Sequence, residues 1–170
     1  MQTRRATPSD APALVANLED GFASYIAWAP VGWTPSVAIP DPPAARARIA
    51  ERLAQPDVWC LIALEGENVA GHVGIGPSTR EDPEPAPPGT TNLWQLFVRR
   101  PWRGSGLARE LMAAAVAEAA ARGFHAMRLW TPRGAARARR FYEREGWTPT
   151  GEVHEASPSG LVTVQYVRRL

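Results

Sequence analysis

No lysine occurs among the 170 residues; all 19 basic side chains are arginines. Against 17 acidic residues they leave a net charge of only +2, too mild and too scattered for the dense basic face that grips nucleic acid. A phosphate loop ending in Gly-Lys-Ser/Thr is excluded outright. Cysteine is reduced to Cys60, which rules out an intramolecular disulfide. Its setting, Val58-Trp59-Cys60-Leu61-Ile62-Ala63-Leu64, reads as a buried thiol rather than a nucleophile. No apolar run approaches the roughly 20 residues that cross a bilayer. The stretch Met1 to Pro8 carries paired arginines with no apolar export core behind them. The expectation is a cytoplasmic protein that meets neither membrane nor nucleic acid. No cluster of His, Cys and carboxylates has metal-ligand spacing, so no metal is expected.

What is present is an ordinary globular balance, 45% hydrophobic and 21% charged, in a length that suits one domain over residues 1–170. Arg4 to Thr7 reads as a short strand. Thr7-Pro8-Ser9-Asp10 supplies helix-start residues, and Ala11 to Asp20 places Leu14, Val15 and Leu18 at helical spacing with Gly21 as a stop. From Phe22 to Pro43 the pattern breaks into aromatics and prolines. Tyr25, Trp28 and Trp33 either pack this segment or make it a lid lining a pocket. A helix follows over Ala44 to Ala54.

Val58 to Glu65 and Asn68 to Gly76 read as two strands of a hairpin. Alternation puts Val69, Gly71, Val73 and Ile75 on one face and Ala70, His72, Gly74 and Gly76 on the other, so that His72 stands among small residues with room beside it. It is either a satisfied structural histidine or an acid or base. Pro77 to Gly89, rich in proline and charge, is expected to be a mobile loop. The next strand is Thr91 to Arg99, and a helix from Gly104 to Arg122 ends at Gly123. Ala126 to Thr131 follows as a parallel strand, closing a βαβ unit. A last helix, Ala135 to Glu145, precedes two strands around Trp147 to Val153 and Leu161 to Arg168. Arg133, Arg137, Arg139, Arg140 and Arg144 read as a solvated helix face that could also help hold a ligand phosphate. The fold class is α/β with a mixed sheet, about seven strands and about four helices.

Between the strand that ends Leu96-Phe97-Val98 and the long helix stands Arg99-Arg100-Pro101-Trp102-Arg103-Gly104-Ser105-Gly106-Leu107-Ala108. A glycine-rich strand-to-helix turn exposes backbone N–H groups at the positive end of a helix dipole, which suits a phosphate-bearing ligand. The small residues let that ligand approach the main chain. A dinucleotide fingerprint is not completed, since no third glycine follows Gly104 and Gly106.

This order of elements, the turn, and the later Phe141-Tyr142-Glu143-Arg144-Glu145-Gly146-Trp147 together resemble the GNAT superfamily of N-acetyltransferases over nearly the whole chain. The family's signature after its fourth strand is Arg or Gln, two residues, Gly, one residue, then Gly or Ala. Here it reads Arg103-Gly104-Ser105-Gly106-Leu107-Ala108. The resemblance implies a sheet splayed between strands four and five and acetyl-CoA as cosubstrate. It puts the pyrophosphate on the turn from Arg103 to Ala108, the pantetheine arm on Leu96, Phe97 and Val98, and further contacts at Ala138 and Phe141. It also implies that Tyr142 protonates the departing thiolate.

Two positions depart from the family pattern. No carboxylate stands on the fourth strand, where Asn92 lies near the place of a frequent Glu, so the general base is left among a water chain, His72, Glu152 and Glu155. The frequent Asn seven residues before the tyrosine is Ala135. The resulting expectation is an acetyl-CoA-dependent N-acetyltransferase acting by direct amine attack. Its acceptor is a small-molecule amine held under Tyr25, Trp28 and Trp33 and by the loops at Phe22 to Pro43, Pro77 to Thr90 and Val153 to Gly160. A protein or peptide acceptor, and a non-catalytic acyl-CoA-binding regulatory module, are the alternatives; monomer and homodimer are both open.

Overall fold

A computed structural model describes residues 1–155 and 157–170; Ala156, in the last of the three expected acceptor loops, lies outside the described residues. The elements are β1 (Gln2–Arg5), α1 (Ala11–Ala23), α2 (Pro35–Ala38), α3 (Pro42–Leu53), β2 (Trp59–Glu65), β3 (Asn68–Gly76), β4 (Thr90–Val98), α4 (Leu107–Ala121), β5 (Ala126–Pro132), α5 (Ala136–Arg144), β6 (Thr148–His154) and β7 (Thr163–Arg169). The strands form one seven-stranded sheet in the order β1-β2-β3-β4-β5-β7-β6. Only β4 and β5 run parallel, with α4 as their crossover. The fifth helix, beyond the four expected, is the short α2 inside the aromatic segment.

Helices cover both faces. Leu14, Val15 and Leu18 of α1 and Ile49 of α3 bury against Cys60 and Ile62. On the other face, Leu107, Leu111, Met112 and Ala115 of α4 bury against Val73, Ile75, Leu93 and Leu129. Asp41 caps α3 by accepting from the Ala44 N–H at 3.0 Å, which starts that helix two residues before the expected Ala44.

Three expectations change. Gly21 does not stop α1, which continues to Ala23; a side chain there would collide with the Phe97 ring, so this glycine serves close approach between helix and sheet. The face assignment on β3 fails at its start, because a β-bulge sits where Ala63 pairs with Gly71 and Leu64 with Val69. The extra residue, Ala70, turns into the α4-side core and Val69 into the α1 side. Gly104 and Gly106, with φ of 89° and 94°, delay the start of α4 to Leu107.

A fourth correction concerns the loop after β3. Proline content argues for mobility, yet this loop is tied to the sheet by Arg128 of β5, only 1% exposed. Its Nε donates to Asn92 Oδ1 at 2.7 Å, and one terminal nitrogen donates to the Glu84 carbonyl at 2.6 Å and Ser78 Oγ at 3.2 Å. Asn92 in turn donates to Ser78 Oγ at 3.0 Å. A buried guanidinium must be satisfied on several sides, and the loop's carbonyls do this in place of water.

Arg128→Leu removes these donors while leaving Asn92 and the loop carbonyls in place. It is expected to lower unfolding stability by about 3 kcal/mol and to open Ser78 to Ala86 to proteolysis. Urea denaturation and limited digestion check this, and an unchanged digestion pattern would show that the loop is held by something else.

Candidate active site

β4 and β5 pair through only three residue partners, Thr90 with Ala126, Thr91 with Met127 and Asn92 with Arg128. β4 then runs on to Val98 and β5 to Pro132 without further pairing. A second bulge, at Trp94, bends β4 at the place where the strands part: Gly74 pairs with Gln95 and Ile75 with Leu93, and the Trp94 ring lies over Gly74. The opening is a cleft of about 1750 Å³, lined on one bank by Trp94 to Val98 and on the other by Leu129 to Pro132. That volume exceeds the few hundred to about 1,000 Å³ of a single drug-sized site, which leaves room for a cofactor and a second small molecule.

One end of the cleft is the glycine turn. Among the described residues the N–H groups of Gly104, Gly106 and Ala108 have no partner, whereas the Ser105 N–H is held by the Trp102 carbonyl. A Cβ at Gly104 or Gly106 would meet nothing within 4 Å, so the approach to these donors is open. Ahead of α4 they form an anion cradle. The other residues expected there divide. Arg103 lines the cleft, with its side chain engaged by the protein: its Nε donates to the Val98 carbonyl at 2.9 Å and a terminal nitrogen pairs with Asp20 Oδ2 at 2.8 Å. Ser105 Oγ donates to the Trp102 carbonyl at 2.7 Å, and Leu107 is buried in the α4 core. A carboxylate at the end of α1, invisible to the motif, thus takes the arginine and leaves the backbone as the cradle.

Tyr142 stands on α5 between the cradle and the β5 bank, 8% exposed, with Trp147 and Tyr166 packed around its ring. Burial, reinforced by the Tyr25 phenol, raises its pKa, so the hydroxyl keeps its proton at neutral pH. Leu96, Phe97, Val98, Ala138 and Phe141 also line the cleft.

The aromatic segment roofs the cleft rather than merely packing. Tyr25 and Trp28 line it, and Trp28 sits so close to Gly134 of the opposite bank that a Cβ there would lie 2.5 Å from its ring. Trp33 is a correction: it lies behind the lining, stacked on Tyr25 at 6.2 Å, with its indole N–H donating to the Ser159 carbonyl at 2.9 Å. It fastens the roof to the loop before β7. Tyr25 is pushed up to about 12 by burial, against a smaller opposing effect of Arg103.

His72 is also corrected. The room expected beside it is taken by the Trp94 ring over Gly74 and by Phe97, stacked on the imidazole at 5.9 Å. His72 is fully buried and does not line the cleft. Asn17 Nδ2 donates to its Nδ1 at 3.1 Å, and its Nε2 donates to Gln95 Oε1 at 3.0 Å. Burial lowers its pKa to about 4, opposed by the Gln95 hydrogen bond. Of the other expected bases, Glu152 and Glu155 are exposed and off the lining, and Asn92 is committed to Arg128 and Ser78. The residues missed from sequence are Asp20, Trp94, Gln95 and Gly134. For Gln95 the one signal was strand alternation, which puts it on the face shared by Phe97. Among the described residues no group of three His, Cys, Asp or Glu side chains could hold a metal ion, and no helix is long and apolar enough to cross a membrane.

The model of a family described as the acetyltransferase (GNAT) family matches residues 22–147. Among solved structures, a GNAT-family protein from Desulfovibrio desulfuricans is 25% identical over 99% of this chain and 98% of its own, with a TM-score of 0.73. A ribosomal-protein-alanine N-acetyltransferase from Brucella melitensis is 21% identical over 100% of both chains, with a TM-score of 0.75. A PaiA N-acetyltransferase from Thermoplasma acidophilum, in complex with coenzyme A, is 13% identical over 99% of this chain and 98% of its own, also at 0.75. The last two share the fold alone. No curated protein matches significantly.

The state of His72 has a measurable consequence. The unfolded chain takes up a proton near the ordinary 6.5, the folded chain only near about 4, so between these values the unfolded state binds more protons and stability falls as pH falls. Urea unfolding at pH 7.5, 6 and 5 is expected to show a loss approaching about 3 kcal/mol toward pH 4. His72→Asn should remove that slope; a slope unchanged in the variant would assign it to other groups.

Proposed function

The chain belongs to the GNAT family of acetyltransferases, and from that premise we propose that it transfers the acetyl group of acetyl-CoA to the primary amine of a small molecule. As a family member it is an N-acetyltransferase-type enzyme with acetyl-CoA as its cosubstrate. The observation that carries the reading is the open row of N–H donors on Gly104, Gly106 and Ala108 at one end of a cleft that also holds the Tyr142 hydroxyl. The donors suit a pyrophosphate, and the edge of β4 from Leu96 to Val98 that β5 leaves, on which Arg103 Nε already meets the Val98 carbonyl, suits the amide-bearing pantetheine arm, which would bond to it as an added strand does. Ala138 and Phe141 flank this path.

On this reading the amine nitrogen attacks the thioester carbonyl carbon, and a C–N bond forms as the C–S bond breaks. The electron pair of that bond goes to sulfur, which takes the phenolic proton of Tyr142. Burial keeps the phenol protonated at neutral pH, so its proton is in place when the C–S bond breaks, and the same desolvation raises the basicity of the emerging thiolate that takes it. The proton that leaves the attacking amine goes to water, since His72 and Asn92 have no free acceptor to offer. Tyr25 and Trp28 close the acceptor end to bulk solvent. The single sheet from Gln2 to Arg169 supports reading residues 1–170 as one catalytic domain. A small acceptor is favoured by the contact of Trp28 with Gly134, which bridges the two banks of the cleft at that point.

Tyr142→Phe is expected to lower kcat about 100-fold with the acetyl-CoA dissociation constant unchanged. Thiol release with a panel of amines, and calorimetric titration with acetyl-CoA, check this. Unchanged turnover would remove Tyr142 from the mechanism. Binding of acetyl-CoA with no thiol release from any amine would point instead to a non-catalytic acyl-CoA-binding module.

A further inference from the structure

Asn17, His72 and Gln95 form a chain of polar side chains that begins under α1 and ends in the cleft. Asn17 is 1% and His72 0% exposed, and both lie in an otherwise apolar layer; both ring nitrogens of His72 are hydrogen-bonded, while Asn17 Oδ1 is buried with no partner among the described residues. The two bonds have a consistent direction. Asn17 Nδ2 donates to His72 Nδ1 at 3.1 Å, which leaves the imidazole proton on Nε2, and Nε2 donates to Gln95 Oε1 at 3.0 Å. Stacking on Phe97 fixes the imidazole plane. With its carbonyl oxygen held from behind, the Gln95 side chain lines the cleft with its amide N–H donors unpartnered among the described residues.

The position of Gln95 separates it from the cradle. It pairs with Gly74 beside the Trp94 bulge, on the α1 side of the sheet that it shares with His72, whereas the cradle opens α4 on the opposite side. A molecule reaching the β4–β5 gap from the α1 side meets Gln95 on the way. The lining of the same cleft includes Phe22, Trp94 and Phe97 on this bank, with the Arg52 guanidinium over the Trp94 ring at 4.9 Å, and Trp130 on the other. A donor fixed on its back side within an aromatic wall selects for an oxygen acceptor attached to a flat apolar group.

We propose that Gln95, oriented by the buried Asn17–His72 pair, recognises a carbonyl oxygen next to the amine-bearing carbon of the acceptor, so that the substrate class is an aromatic α-amino carbonyl compound. This rests on the transferase reading above. Gln95 is the contact to substrate, and His72 and Asn17 are positioning residues. A site built to donate to a substrate oxygen discriminates strongly against an analogue that lacks it, because the donor is then left unpaired in a water-poor cleft.

The test compares L-phenylalaninamide with 2-phenylethylamine, which keeps the ring and the amine and lacks the carbonyl, in acetyl-CoA-dependent thiol release. Wild-type enzyme is expected to favour the amide at least tenfold in kcat/KM. Gln95→Leu should bring the ratio close to one through a raised KM for the amide, with acetyl-CoA affinity retained. His72→Ala should reduce the same ratio and His72→Gln, which can still donate to Gln95, should restore part of it. The tripeptide Phe-Gly-Gly presents the same α-amino carbonyl, and its rate relative to the amide tells a peptide source from a free amine. A wild-type ratio near one, or a ratio that Gln95→Leu leaves intact, overturns the proposal. So does turnover of neither probe while other amines are acetylated, an outcome that keeps the transferase reading. Failure to bind acetyl-CoA would overturn both.

Discussion

The parting of β4 from β5 after Asn92 and Arg128 is the constraint on which the rest of the site depends. Parallel strands that stayed paired to Val98 and Pro132 would use up the main-chain groups of Leu96 to Val98 and leave no gap. The bulge at Trp94 turns β4 away, and β7, paired along the whole of β5, holds the other bank in place. The cleft is thus an interruption of one continuous sheet. Its walls are as rigid as the core layers behind them, and the loops only roof it.

Buried polar side chains do the work of holding this interruption open. Arg128 sits at the last paired position and gathers Asn92, Ser78 and the Glu84 carbonyl around one guanidinium. The proline-rich loop is thereby fixed beside the cleft, which Ser78 to Pro83 help to line. On the facing bank the Asn17–His72–Gln95 chain links α1 through β3 to β4. At the cofactor end Asp20 takes the Arg103 side chain. Each network joins a helix or loop to the sheet at the edge of the gap, where an apolar contact would hold the parts together without fixing which way a side chain points.

The roof follows another logic. Phe22, Tyr25, Trp28 and Trp33 form a run of edge-to-face, tilted and stacked rings that starts at the end of α1 and reaches Gly134 and Ser159 on the far bank. Large rigid side chains span that distance with little conformational freedom to lose. Three of them line the cleft and one serves as the fastener, a division that composition alone does not reveal.

The sequence by itself determined the elements, the crossover between the parallel strands and the glycine turn ahead of α4. These depend on local patterns: the apolar run of β2, the four-residue repeat of Leu107, Leu111, Ala115 and Ala119, and glycines before α4. Helix starts were off by two or three residues where Asp41 caps α3 and where the glycines delay α4. The faces of β3 slipped at Ala70, because a bulge is a property of two strands and leaves no mark in one. Only the tertiary structure decided that His72 supports Gln95 instead of facing a substrate, that Arg103 belongs to Asp20, and that the loop after β3 is anchored. His72 lies 23 residues from Gln95 and 55 from Asn17, Arg103 lies 83 from Asp20, and Arg128 lies 44 from Glu84. A side chain's role follows from the groups that satisfy its hydrogen bonds, and when those groups come from distant elements no spacing along the chain encodes the pairing.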